Sequence, residues 1–249
     1  MMLLLIVLVA FGVGLSIGIC GVAGFLLPIF FLGSCGFTAS ESLFLSFGCF
    51  LISGALGAWK YKQRGELTAR AALPLGLSSL MGSLLGALLG QSFVSARVKT
   101  VLYIVVLLSG IMIFVQELLG RKQAAGEKTP GVGVLIPLGF VTAIICALSG
   151  AGGPVLVMPL LVVLGMSVRG AVGTALFDSV FIALPALFVY GGQGLNSSLL
   201  LPMAVAFSAH VGGILLGSRL AGRVPQRPLK WGIALFSILF SLWMLFKSF

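Results

Sequence analysis

Two stretches of forty residues, 1 to 40 and 129 to 168, carry no charged side chain. A single α-helix rises about 1.5 Å per residue, so either stretch would reach about 60 Å, roughly twice the hydrocarbon thickness of a bilayer. Neither is expected to be one straight span. Each is interrupted by a glycine-rich tetrad, Gly21-Val22-Ala23-Gly24 in the first and Gly150-Ala151-Gly152-Gly153 in the second, where helix propensity falls and the backbone can unwind. Each stretch therefore reads as a broken or re-entrant helix pair. Unwound backbone finds no hydrogen-bond partner in lipid and persists only where protein buries it or water reaches it, which makes the tetrads candidate transport sites. A helix restarting after such a break offers unpaired N–H groups and the positive end of its dipole, which suits an anion. Gly153-Pro154 reads as a restart of this kind, with Pro at the first helical position.

With 59% hydrophobic and 8% charged residues over 249 positions, the chain is a polytopic, all-α membrane protein with the lipid bilayer as its main solvent. The formal charge of +10 does not imply nucleic acid, because the 15 Lys and Arg stand in short loops, where they orient the chain. Cys20, Cys35, Cys49 and Cys146 lie in apolar surroundings without C-x-x-C spacing, so neither a metal nor a disulfide framework is expected. No cofactor motif occurs and no G-x-x-x-x-G-K-[ST] loop, so energy must come from a gradient or another chain. The N-terminus lacks the positive start of a signal peptide, and its tetrad recurs in the second half, so it is read as mature structure.

That recurrence is an internal duplication. A shift of 131 positions pairs Gly21 with Gly152, Pro28 with Pro159, Gly82 with Gly213, Gly86 with Gly217 and Lys99 with Lys230. The register slips by two or three residues near residue 65, and the polar stretch 120 to 131 is the joint, giving repeats 1–120 and 131–249. Each repeat holds five apolar segments. The second of each, 25 to 35 and 154 to 166, is too short to span as a helix alone. Loop charge separates two topologies. Eight crossings divide the 15 positive residues almost equally between the two sides. Ten crossings place Lys60, Lys62, Arg64, Arg70, Arg121, Lys122, Lys128, Arg169, Arg219, Arg223, Arg227 and Lys230 on one side, against Arg97, Lys99 and Lys247, and the positive-inside rule selects that arrangement. Five crossings per repeat is odd, so the repeats are expected to be inverted, with both termini outward and the tetrads entering from opposite faces.

The duplicated tetrad followed by an apolar run and Pro, the segment RGAVGTALF at 169 to 177, and the P-x7-H-x2-G-x3-G pattern from Pro202 to Gly217 resemble the TauE/SafE sulfite exporter family over roughly residues 5 to 247. The resemblance implies a multi-pass protein of the bacterial inner membrane. It further implies export of sulfite or an organosulfonate such as sulfoacetate. Two features depart from that pattern: the first tetrad is less glycine-rich, and Asp178 is a charge where a small or apolar residue is expected.

The expected substrate contacts are Gly21, Val22, Ala23, Gly24, Gly150, Ala151, Gly152 and Gly153, with Ser149 as hydroxyl donor. Asp178 stands alone between charge-free stretches, where an ionised carboxylate costs several kcal/mol unless paired, and is assigned to proton coupling with His210. Thr174 is one turn from Asp178 and shares its face; Arg169, about 180° away round the helix, does not. Arg169 is either an anion contact or a cytoplasmic anchor, and His210 either a proton relay or an interhelical hydrogen bond. Thr38 and Glu41 form a capping box. Gly82, Gly86 and Gly90, and Gly213, Gly217 and Ala221, form small-residue ladders for close helix packing. The 19 Phe show no pattern that suggests stacking. An anion channel, or a transporter of another small organic anion, is the alternative function, and a channel would need no proton-linked residue. An enzyme is disfavoured, since no Cys/His or Ser/His pair stands at a recognisable spacing.

Overall fold

The computed structural model describes residues 1–21, 23–92, 129–192 and 197–221, together with isolated helical positions between 104 and 115 and between 231 and 246. Val22, most of the expected joint at 120 to 131, and most of the fifth segment of each repeat lie outside the described residues. The described chain is helical, with no strand among the described residues. Its elements are α1 (Met2–Cys20), α2 (Leu26–Gly33), α3 (Ala39–Gln63), α4 (Ala69–Ser92), α5 (Val132–Ser149), α6 (Gly153–Val163), α7 (Val168–Gly191), a 3₁₀ turn (Ser197–Leu199) and α8 (Leu200–Leu220). Six of these stretches are long and apolar enough to cross a membrane, while α6 is apolar but shorter. The outward faces are correspondingly apolar: Leu77, Phe188 and Leu201 are all exposed, as lipid solvation permits.

Local sequence sets the helix ends. The Thr38 hydroxyl accepts from the Glu41 N–H at 3.3 Å while the Glu41 carboxylate accepts from the Thr38 N–H at 2.9 Å, completing the capping box that opens α3. Ser167 caps α7 through the Gly170 N–H. Both α1 and α5 end on a left-handed glycine, Gly21 at φ 73° and Gly150 at φ 72°, whose N–H returns to the carbonyl four residues back. Pro154 stands at the second position of α6 rather than the first, because Gly153 already has helical geometry.

Glycines set the packing. A Cβ on Gly14 would lie 2.6 Å from the His210 carbonyl, and one on Gly18 would lie 2.7 Å from the Ser218 nitrogen. In the same way Gly82 and Gly86 press on the backbone of Phe140 and Ile144. The ladders thus bring α1 onto α8 and α4 onto α5, each pair running parallel, at backbone-to-backbone distance. By contrast α3 and α7 run antiparallel, with Gly54 against Ser179, Gly57 against Leu176 and Gly173 against Tyr61. Relabelling α1–α4 as α5–α8 maps the principal helix contacts onto one another: α1 with α8 becomes α5 with α4, α4 with α7 becomes α8 with α3, and α3 with α7 becomes itself.

Two polar contacts fix which loops share an end of the bundle. Arg64 donates from Nη2 to the Ser218 carbonyl at 2.6 Å, and Arg169 pairs with Glu66 at 3.1 Å. The α3–α4 loop, the α6–α7 loop and the end of α8 therefore lie together.

Candidate functional site

The tetrads are packed shut: Gly21, Ala23, Gly24 and all four residues Gly150 to Gly153 are buried. Their backbones are irregular in a way that side chains tolerate poorly. Ala23 has φ 94°, a strained value for a residue with a Cβ, and Gly152 has φ 23°, so both tetrads contain positive-φ positions. Ser149 is placed at the second tetrad, but its hydroxyl is engaged locally, donating to the Ile145 carbonyl at 2.7 Å and accepting from the Ala151 N–H at 3.3 Å. It holds the backbone turn that ends α5.

Although 126 or more positions separate them in sequence, the tetrads meet one side chain. An added Cβ on Gly24 would lie 2.8 Å from Phe50 Cε1, and one on Gly152 would lie 3.2 Å from the same ring. Phe50 is 2% exposed and sits near the middle of α3. Gly153, where α6 begins, faces Ser179 near the middle of α7, with 3.3 Å between an added Cβ and the Ser179 Cα. Phe50 in turn meets Phe47 edge-on at 5.8 Å, and Phe47 stacks on Tyr190 at 6.0 Å. The chain of rings ends where the Tyr190 hydroxyl donates to the Ala147 carbonyl at 2.9 Å, one turn before Gly150. This aromatic column is invisible in the sequence, where three rings among many carry no mark.

Asp178 directly precedes Ser179 on α7. It is 0% exposed, and neither carboxylate oxygen has a hydrogen-bond partner. Ser79 on α4 lies alongside it, its hydroxyl directed at the carboxylate but short of full hydrogen-bonding geometry. Cys146 on α5 is within electrostatic range of the carboxylate, and its Sγ faces the Gly152 carbonyl at 3.8 Å. Thr174, one turn before Asp178, is buried with an unpaired hydroxyl. Burying such groups without partners costs ~1–3 kcal/mol each, which sets this cluster apart from the apolar core around it. No group of three or more His, Cys, Asp and Glu able to hold a metal occurs among the described residues.

The two remaining candidates lie apart from this cluster. Arg169 is at the start of α7, its side chain 60% exposed and paired with Glu66. His210 is buried on α8 with Nδ1 3.1 Å from the Ala10 carbonyl on α1. A carbonyl only accepts, so Nδ1 carries the proton and the buried, unpartnered Nε2 is left as an acceptor. Of the two roles open to His210, the structure shows the interhelical hydrogen bond.

A helical bundle of this kind, with two glycine tetrads converging at mid-helix, accords with one comparison. The family model described as Sulfite exporter TauE/SafE matches residues 6–244. The chain belongs to the TauE/SafE family. No curated protein and no solved structure matches it significantly. TauE/SafE membership over nearly the whole chain, together with the six span-length helices, makes this a multi-pass membrane protein of a transporter family. Ser79 and Phe50 are not among the candidates that the sequence offers, whereas Cys146 stands out there only as a cysteine beside the second tetrad. Ser79 left its trace as part of a Ser-Ser pair in a mostly apolar span.

Proposed function

We propose that the protein is a secondary transporter that moves a small sulfur oxyanion, sulfite or an organosulfonate, across the bacterial inner membrane by alternating access between two inverted repeats. The observation that carries this reading is the convergence of both tetrads on Phe50 at the middle of α3. A pair of unwound segments, one from each half, meeting at mid-depth is the arrangement expected of a transport site shared between repeats. The antiparallel course of α3 and α7, which are equivalent helices, supports inversion. So do the Arg64–Ser218 and Arg169–Glu66 contacts, which join loops that eight crossings would put on opposite faces and ten put on the same face. In this topology α1 and α2 enter from outside, α5 and α6 from the cytoplasm.

The anion is held by backbone N–H groups of Gly21 to Gly24 and Gly150 to Gly153, at the positive end of α6. These groups bind without a fixed positive charge that would hinder release. Phe50 closes the space between the tetrads and moves aside to admit the anion. Asp178, with Ser79 and Thr174, carries the proton that accompanies transport, since a carboxylate beside an anion site favours the protonated form when the anion is present. His210 links α1 to α8, and Arg169 anchors the cytoplasmic end.

Proteoliposomes loaded with sulfite provide the test. Gly152→Leu and Gly153→Leu should lose efflux and lose stabilisation by sulfite, while Gly90→Leu should chiefly lower stability. Wild-type affinity and rate in both tetrad variants would move the site elsewhere. Sulfite flux unaffected by a proton gradient would favour a channel.

A further inference from the structure

A recess lies on the outside of the bundle, away from the tetrads. The α3–α4 hairpin and α7 enclose a groove of about 490 Å³, within the ~300–1,000 Å³ usual for ligand sites. Its walls are Ala55 and Ala58 of α3, Ala72 and Leu73 of α4, and Phe177 and Val180 of α7. The alanines form the trough, since larger side chains there would fill it. Charge enters at one end only, where Lys62 lines the mouth beside Trp59. Trp59 is 52% exposed, and the Lys60 ammonium stands 4.6 Å from its ring centroid. Arg70 follows Ala69, which lines the groove, while Arg64 is turned to the Ser218 carbonyl and the loop's acid, Glu66, is paired with Arg169. The mouth is therefore basic and the trough apolar.

We propose that this groove is a binding site for an anionic phospholipid, with one acyl chain along the alanine trough and the headgroup phosphate on Lys62. Hydrocarbon is the solvent on this face, which selects an acyl chain as the occupant of the trough. Basic pockets between membrane helices select anionic headgroups, and an exposed Trp marks headgroup depth. Phe177 and Val180 bracket Asp178 and Ser179, so a bound chain presses from outside on the turn of α7 that carries the buried carboxylate.

Purified full-length protein, stripped of lipid in detergent and then offered phosphatidylglycerol or phosphatidylcholine, is assayed for retained lipid by native mass spectrometry. Wild type should retain phosphatidylglycerol in preference. Lys62→Gln should weaken that preference about fivefold, the value of one cation near an anionic headgroup. Ala55→Phe, at an exposed position where folding is undisturbed, should abolish retention of either lipid, while Arg219→Gln, a cation outside the groove, should change nothing. Equal retention of both lipids by wild type, or a preference untouched by Lys62→Gln and Ala55→Phe, would overturn the proposal. Displacement of phosphatidylglycerol by millimolar inorganic phosphate would likewise overturn the role given to the acyl chain.

Discussion

Replacing Gly24 by Ala tests the meeting of the tetrads most directly. Gly24 does not have positive φ, so alanine brings no backbone strain of its own there. Its Cβ would stand 2.8 Å from Phe50 Cε1, against ~3.5–4.0 Å for relaxed carbon contact, and the ring must retreat by about 1 Å. Gly152 closes on the same ring, so the retreat is resisted. Overpacking of this size costs ~1–3 kcal/mol, a factor of about 5 to 160 in an equilibrium constant. Phe50→Leu removes the ring and relieves the clash. In a double-mutant cycle, Gly24→Ala should therefore be harmful in the native background and nearly neutral beside Phe50→Leu, with a coupling of about 1–2 kcal/mol. Sulfite efflux from proteoliposomes and thermal unfolding in detergent each supply one cycle. Additive effects, within ~0.5 kcal/mol, would mean that the first tetrad does not touch Phe50. The convergence at mid-helix would then fall.

Asp178→Asn should leave the protein folded and sulfite-stabilised but make transport independent of the pH gradient; unchanged pH dependence would reduce Asp178 to a structural residue. In a cysteine-free background, single cysteines at Gln63 and Ser198 should label from opposite sides of the membrane, and labelling from one side would end the inverted topology. Arg169→Gln should lower stability by less than ~1 kcal/mol, as expected for an exposed ion pair, and leave the apparent sulfite affinity unchanged; a large rise in KM would make Arg169 a substrate contact. His210→Leu removes the bond to Ala10 and should cost ~1–3 kcal/mol, lowering the unfolding temperature without altering the substrate dependence of transport.

The helical class, the family, the capping box at Thr38 and Glu41, and the packing role of the ladders from Gly82 and Gly213 were all legible in sequence. Each depends on local chemistry: hydropathy over a window, a three-residue cap, or a small residue every fourth position. Which helices the ladders join was not legible, because Gly82 pressing on Phe140 and Gly213 on Phe11 are decisions of tertiary packing. Candidate site residues divide the same way. Glycine tetrads and a lone Asp178 announce themselves by being unusual where they stand. Phe50 does not, since an aromatic in an apolar helix is ordinary until its neighbours are known. Ser149 was legible as a hydroxyl at a break, yet its bonds to Ile145 and Ala151 follow from the backbone turn itself.

The exchange of partners between the halves has a consequence for biosynthesis. The bond from Ala10 to His210 spans 200 positions, and at ~5–20 residues per second a ribosome needs about 10–40 s to make that length of chain. Throughout that interval α1 lies in the bilayer with the glycine stripe that will receive α8 still facing lipid. The second half has a different history: α5 follows its partner α4 closely and can dock as soon as it is inserted. The α1–α8 contact thus becomes available only after α4 and α5 can already pair, so it is the N-terminal helix that waits longest for its partner.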